Sequence, residues 1–153
     1  MERIRLLLLC VIIMAGGYTR ADNVMNFRSL DGDTQFSFIE VLNTSVPFGG
    51  PILLKRGTTV KFECSFNAPY ICQKVEVKCH LIINGIPMPL TFQGSSFSFG
   101  MLLPLVQGQF YDCCISIPIL TSLPALACKL RIELYAKDQG RTIAAAEMDV
   151  KIQ

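Results

Sequence analysis

The stretch Cys72–Leu90, CQKVEVKCHLIINGIPMPL, decides the reading of the fold. From Val75 its side chains alternate, with Val75, Val77, Cys79 and Leu81 on one face and Glu76, Lys78 and His80 on the other. A period of two sends successive side chains to opposite faces, so the pattern predicts a half-buried strand. Asn84-Gly85 tolerates positive φ and ends that strand in a tight turn. Ile86-Pro87-Met88-Pro89-Leu90 follows, and prolines, lacking an amide donor, cannot occupy a central ladder. Strand, turn and stiff apolar lip, in that order, predict the wall and rim of a cavity.

Working outward, Val60, Phe62, Cys64 and Phe66 alternate with Lys61, Glu63 and Ser65 just upstream. The turn-like Asn67-Ala68-Pro69-Tyr70 returns the chain, so these two strands are expected to form an antiparallel hairpin. Downstream, Tyr111, Cys113, Ile115 and Ile117 alternate with Asp112, Cys114 and Ser116. A connection through Pro118 to Pro124 leads to Cys128, Leu130, Ile132, Leu134 and Ala136, which is expected to complete a second hairpin. Lys137-Asp138-Gln139-Gly140 turns into a last alternating run, with Ala144, Ala146, Met148, Val150 and Ile152 inward. Phe36, Phe38, Ile39 and Val41 supply an early strand. Seven or eight strands, no amphipathic helix and no repeat predict an all-β sandwich.

Residues 91–109 stand apart, because they carry no charge but hold three phenylalanines and five large aliphatic residues. So apolar a segment is expected either to form a short inward strand through Phe97 and Phe99, or to cover something apolar or touch a membrane.

The first residues read differently again. Arg3 and Arg5 precede the unbroken apolar run Leu6–Met14, and Ala15-Gly16-Gly17 follow. This is the layout of a secretory leader over residues 1–21, with cleavage after Ala21 or Gly17. Nine apolar residues are too few for a span, which needs about 20. Residues 22–153 then form one exported domain, in the secreted or endolysosomal space. Without the leader, eleven basic and eleven acidic side chains remain. A near-neutral domain offers no footprint for nucleic acid and no attraction to an anionic membrane. A monomer is expected.

Six cysteines remain after Cys10 leaves with the leader: Cys64, Cys72, Cys79, Cys113, Cys114 and Cys128. An even number in an exported chain implies disulfides before metal ligation, and one histidine gives a zinc site little support. Fifteen pairings are open. Hairpin geometry favours Cys64 with Cys79 and Cys114 with Cys128, leaving Cys72 and Cys113. Asn43-Thr44-Ser45 is a glycan acceptor if it lies in an exposed loop.

The motifs of common hydrolases and phosphate-binding loops are absent. His80 shares an outward face with Lys78, where a solvated histidine is the expected reading rather than a general base. Asp31 with Asp33 and Glu147 with Asp149 fall on a turn and on an outward strand face. No catalytic set, metal or cofactor is expected. What remains is a binding module with more large apolar side chains than a small sandwich needs. Sheets that splay at one edge leave a slot for a lipid, whereas sheets that close leave an ordinary core. Each buried methylene is worth about 0.8 kcal/mol, so ten carbons supply about 8 kcal/mol before ordering costs.

Several pieces resemble the ML lipid-recognition family and its sterol carriers: Ser29-Leu30-Asp31-Gly32, Leu54-Lys55-Arg56-Gly57, Asn84-Gly85-Ile86-Pro87-Met88-Pro89-Leu90, Ile117-Pro118-Ile119, Leu123-Pro124 and Glu147 to Ile152. The resemblance implies an immunoglobulin-like pair of antiparallel sheets with one lipid, a sterol or a phospholipid-like molecule, in an apolar cavity between them. It also implies transfer between membranes by transient contact, and no catalysis. Carried over by position, Leu90, Ile119, Leu123 and Pro124 fall at the pocket mouth. Inward alternation adds Phe62, Val77, Ile117, Leu134 and Met148 to the lining. The family's bridge from the N-terminal strand to the last strand is missing, since Phe27 and Ala145 stand at those positions. Residues 46–53 contain no cysteine either, so the short loop bridge is absent. The alternatives are an immunoglobulin-like module with a filled core, or an ML-type binder of phospholipid, glycolipid or lipopolysaccharide. An exported enzyme with a cysteine nucleophile is the third.

Overall fold

The computed structural model describes residues 26–44, 46, 47, 49–90 and 98–153, of which 98–100 in backbone only. The leader, Ser45 of the sequon and the apolar residues 91–97 lie outside the described residues. Ten strands form among the described residues: β1 (Arg28–Leu30), β2 (Phe36–Val41), β3 (Ile52–Leu54), β4 (Thr59–Asn67), β5 (Val75–Ile83), β6 (Ile86–Pro89), β7 (Ser98–Gly100), β8 (Phe110–Pro118), β9 (Ala127–Ala136) and β10 (Arg141–Ile152). The strands beyond the expected seven or eight are short edge pieces.

Two sheets result, β2-β4-β8-β7 and β1-β10-β9-β5-β6, with β3 joined in parallel to the end of β10. This corrects the two expected hairpins. β4 pairs with β2 and β8, while β5 pairs with β6 and β9, so residues 68–74 cross from one sheet to the other. Residues 119–126 likewise cross from β8 to β9. Connections of this length reach across the ~10 Å between packed sheets as easily as they close a hairpin. Lys137–Gly140 does join a true hairpin: β9 pairs with β10, and the register shifts between Thr142 and Ala144.

Alternation places the core. Val60, Phe62, Cys64 and Phe66 of β4 face Leu130, Ile132 and Leu134 of β9 from the other layer, and all are buried. On β10, Ala144, Ala146, Met148, Val150 and Ile152 point inward as expected.

The opening stretch becomes β5, a two-residue turn and the edge strand β6. Ile83 pairs with Ile86, and Asn84 and Gly85 between them have φ of 52° and 78°. Two positive φ values define the turn whose twist matches flanking strands. The Leu90 amide donates to the Cys79 carbonyl at 2.9 Å. Even-numbered amides of β6 therefore face β5, and the nitrogens of Pro87 and Pro89 face away from the ladder. The lip is a strand whose prolines sit where no donor is needed. A Cβ at Gly85 meets nothing within 4 Å. Gly85→Val should therefore cost about 1–2 kcal/mol in urea unfolding, from backbone conformation rather than clash.

Candidate binding site

Between the layers, the described inner faces carry no charged side chain. Two buried side chains are polar, Ser65 and Glu147, and each points outward from its strand. Thiols and the partly buried Tyr70 and Tyr111 are the polar groups packed against this interior. Burial pushes the Cys79 thiol up to about 12. Burial and then a hydrogen bond to Asp138 push Cys72 up to about 11. A thiol held protonated is a poor nucleophile, so these two groups lack the activation that a cysteine mechanism requires. What the inner faces can do is remove apolar surface from water.

The expected lining separates into groups. Phe62, Ile117 and Leu134 are fully buried, Met148 nearly so, and Val77 is half-buried opposite Leu134. These five come from β4, β8, β9, β10 and β5, so both layers contribute. Ile119, Leu123 and Pro124 lie together at the end of the sandwich where β3 turns into β4. There the Gly57 amide donates to the Ile119 carbonyl at 2.6 Å, and Arg56 donates to the Leu123 carbonyl at 3.3 Å. Ile119 is buried, Leu123 half-buried and Pro124 exposed. Leu90 instead borders the β6 edge, level with Cys79 midway along β5. Leu90 and Leu123 thus mark two different borders of the interior. β6 and β7 are each the last strand of their sheet.

All six cysteines are free thiols. The hairpin-based pairings lose their premise, because each joins a strand of one sheet to a strand of the other. Cys114 points to solvent from β8 in one sheet, and Cys128 is the register partner of Val150 within the other sheet. Asn43 is exposed, and its Nδ2 donates to the Thr59 carbonyl at 2.7 Å while its Oδ1 accepts from the Lys61 amide at 2.8 Å. A glycan would replace one of the two hydrogens on Nδ2 and leave the other for Thr59.

The outer face of the larger sheet holds an arrangement that sequence reading passed over. His80, Arg131, Glu147 and Arg28 are successive register partners across β5, β9, β10 and β1. Glu147 is only 4% exposed. Its Oε2 accepts from Arg131 at 2.6 and 3.1 Å, and its Oε1 from Arg28 at 2.8 Å. Burial alone would raise this carboxyl; the hydrogen bonds and charges of Arg131 and Arg28 outweigh it and hold the group below the usual range. His80 is half-buried with Nδ1 enclosed and unpartnered, which corrects the solvated reading. The sequence placed Glu147 on an outward strand face and gave no sign of its two arginine partners. A recess of about 1310 Å³ lies here, between Arg28, Lys129, Arg131, Glu147 and Asp149 and the loop at Pro47–Pro51. Its charged floor suits no alkyl chain, and its arginines are already engaged, so the inner faces are the better candidate for an apolar ligand.

The N-terminal strand is tied to the last by this ion pair and by the β1–β10 ladder. Leu30, not Phe27, stands opposite Ala145.

Comparison with known proteins agrees with this architecture. The profile of the ML domain matches residues 33–152. The NPC intracellular cholesterol transporter 2 homolog a of Drosophila melanogaster is 31% identical over 103 residues, which is 66% of this chain and 69% of that protein. Among solved structures, a Niemann-Pick type C2 protein from Japanese carpenter ant superposes with a TM-score of 0.72 at 17% identity, covering 84% of this chain and 100% of that one. The C-terminal domain of wzt gives a TM-score of 0.55 at 12% identity, covering 89% and 83%.

Proposed function

The chain belongs to the ML-domain family, and we propose that it is an exported carrier that holds one lipid, a sterol first among candidates, between its two sheets. The observation that carries this reading is the uncharged, largely apolar inner face shared by β4, β8, β9 and β10. Sterols are nearly all hydrocarbon, so such a surface can take one from a bilayer by desolvation alone. The name of the fly relative, a cholesterol transporter, supports the choice of lipid.

Transfer needs contact with a bilayer as well as a cavity. Ile71, Leu102, Leu103, Val106 and Phe110 are exposed large apolar residues. Backbone hydrogen bonds of Cys72 with Leu105 and of Ala68 with Gln109 gather them at one end of the sandwich. With a near-neutral domain, this apolar end supports membrane contact through partition rather than charge.

The test is transfer of a fluorescent sterol between neutral phosphatidylcholine vesicles. Saturable one-to-one uptake is expected. Leu102→Asp with Phe110→Asp should leave uptake intact and slow transfer about tenfold, equivalent to ~1.4 kcal/mol of contact. Absence of saturable uptake contradicts the carrier reading.

A further inference from the structure

Cys64 on β4 and Cys113 on β8 are register partners on neighbouring antiparallel strands, and both side chains are fully buried on the inner face. Residues directly opposed in an antiparallel ladder have Cα atoms about 4.5 or about 5.5 Å apart, according to pair type. A disulfide requires roughly 4.4–6.8 Å. The Cα separation thus falls within the disulfide range, and the Cβ atoms, about 4.5–5.5 Å apart in such pairs, need to close by about 1 Å. The other cysteines have no such register partnership with either. Cys79 lies on β5 of the facing sheet, opposite Ile132 of β9. Cys114 points outward, opposite Glu63. Cys72 donates to Asp138 at 3.0 Å and to the Lys74 carbonyl at 3.2 Å. Cys128 stands opposite Val150.

We propose that Cys64 and Cys113 are joined by a cross-strand disulfide in the exported protein. The oxidant is a disulfide of the exporting compartment, small-molecule or protein-borne. One cysteine thiolate attacks it and releases one thiol; the second thiolate attacks the cysteine sulfur of the mixed disulfide and releases the other. The two cysteine protons end on the two released thiols, so the oxidant is reduced by the two electrons the cysteines lose. The adjacent Cys113 thiol and burial hold the Cys64 thiol well above its ordinary value. The closed fold therefore withholds the thiolate that exchange needs, and the bond forms as β4 and β8 zip together, before the other sheet covers them. Once formed, it ties the two middle strands of the smaller sheet behind Phe62 and Ile115. A ligand then enters by parting the layers, not by splitting that sheet. None of this depends on which lipid is carried.

The test is disulfide mapping of the full chain exported from eukaryotic cells, on the folded, monodisperse fraction. The protein is alkylated in denaturant without reductant, digested and analysed by mass spectrometry. Cys113 and Cys114 share any practical peptide, so the Cys114→Ser protein is mapped alongside. In both proteins, the Cys64 and Cys113 peptides should appear as one species, two hydrogens lighter than their sum and separated by reductant. Alkylated Cys64 and Cys113, a bond from either to another cysteine, or loss of the cross-link in Cys114→Ser overturns the proposal.

Discussion

Replacing Arg131 by Met should lower stability by about 3 kcal/mol or more, far beyond what a surface ion pair is worth. Glu147 is 4% exposed, and Arg131 contributes two of its three charged hydrogen bonds. The remaining partner, Arg28, has a side chain 70% exposed and cannot compensate a carboxylate that water does not reach. Removing the carboxylate as well, in Arg131→Met with Glu147→Leu, should recover most of the loss, because the expense lies in the orphaned charge. The pH response has a definite sign. The Glu147 carboxyl is held below its ordinary value in the fold. Its contribution is therefore complete above the ordinary glutamate range and disappears as pH falls through the folded value. Arg131→Met should weaken that acid limb. Urea unfolding of the wild type, both single variants and the double variant, at neutral and acid pH, measures all of this. A loss below ~1 kcal/mol for Arg131→Met would mark the triad as decoration.

Phe62→Ala should cost about 3–5 kcal/mol in lipid-free protein. Phe62 is fully buried, paired with Val41 on one side and Ile115 on the other, and directed at the facing sheet. Its removal opens a cavity on the inner face. If that face is where the lipid lies, the loss should shrink when sterol is present, because sterol occupying the new space binds the variant more tightly and stabilises it more than the wild type. Thermal melts of loaded and stripped protein separate the two contributions. An identical loss with and without sterol contradicts a ligand beside Phe62.

Much of this was legible in the sequence, for a physical reason. Burial alternates with a period of two in β4, β8 and β9, so Phe62, Ile117 and Leu134 could be assigned to the interior residue by residue. Pairing was not legible. The turn-like residues after Asn67 and after Pro118 are compatible with a hairpin or a sheet crossing, and the choice is made by contacts distant in sequence, such as Cys64 with Cys113. The argument for the cysteine pairings was lost with the hairpins from which it was drawn. Glu147 also misled, because alternation tells which face a residue occupies but not that β1 will cover that face. His80 was placed on the right face for the same reason, and its enclosure beside Arg131 was invisible for the same reason.

The most direct test of the account is photocrosslinking with a photoactivatable sterol, followed by mapping of the labelled peptides. The account predicts one label per chain, distributed over β4, β8 and β9 near Phe62, Ile117 and Leu134, and displaced by unlabelled sterol. Label confined to the outer recess at Arg28 and Arg131, or no displaceable label at all, would contradict a lipid held between the sheets.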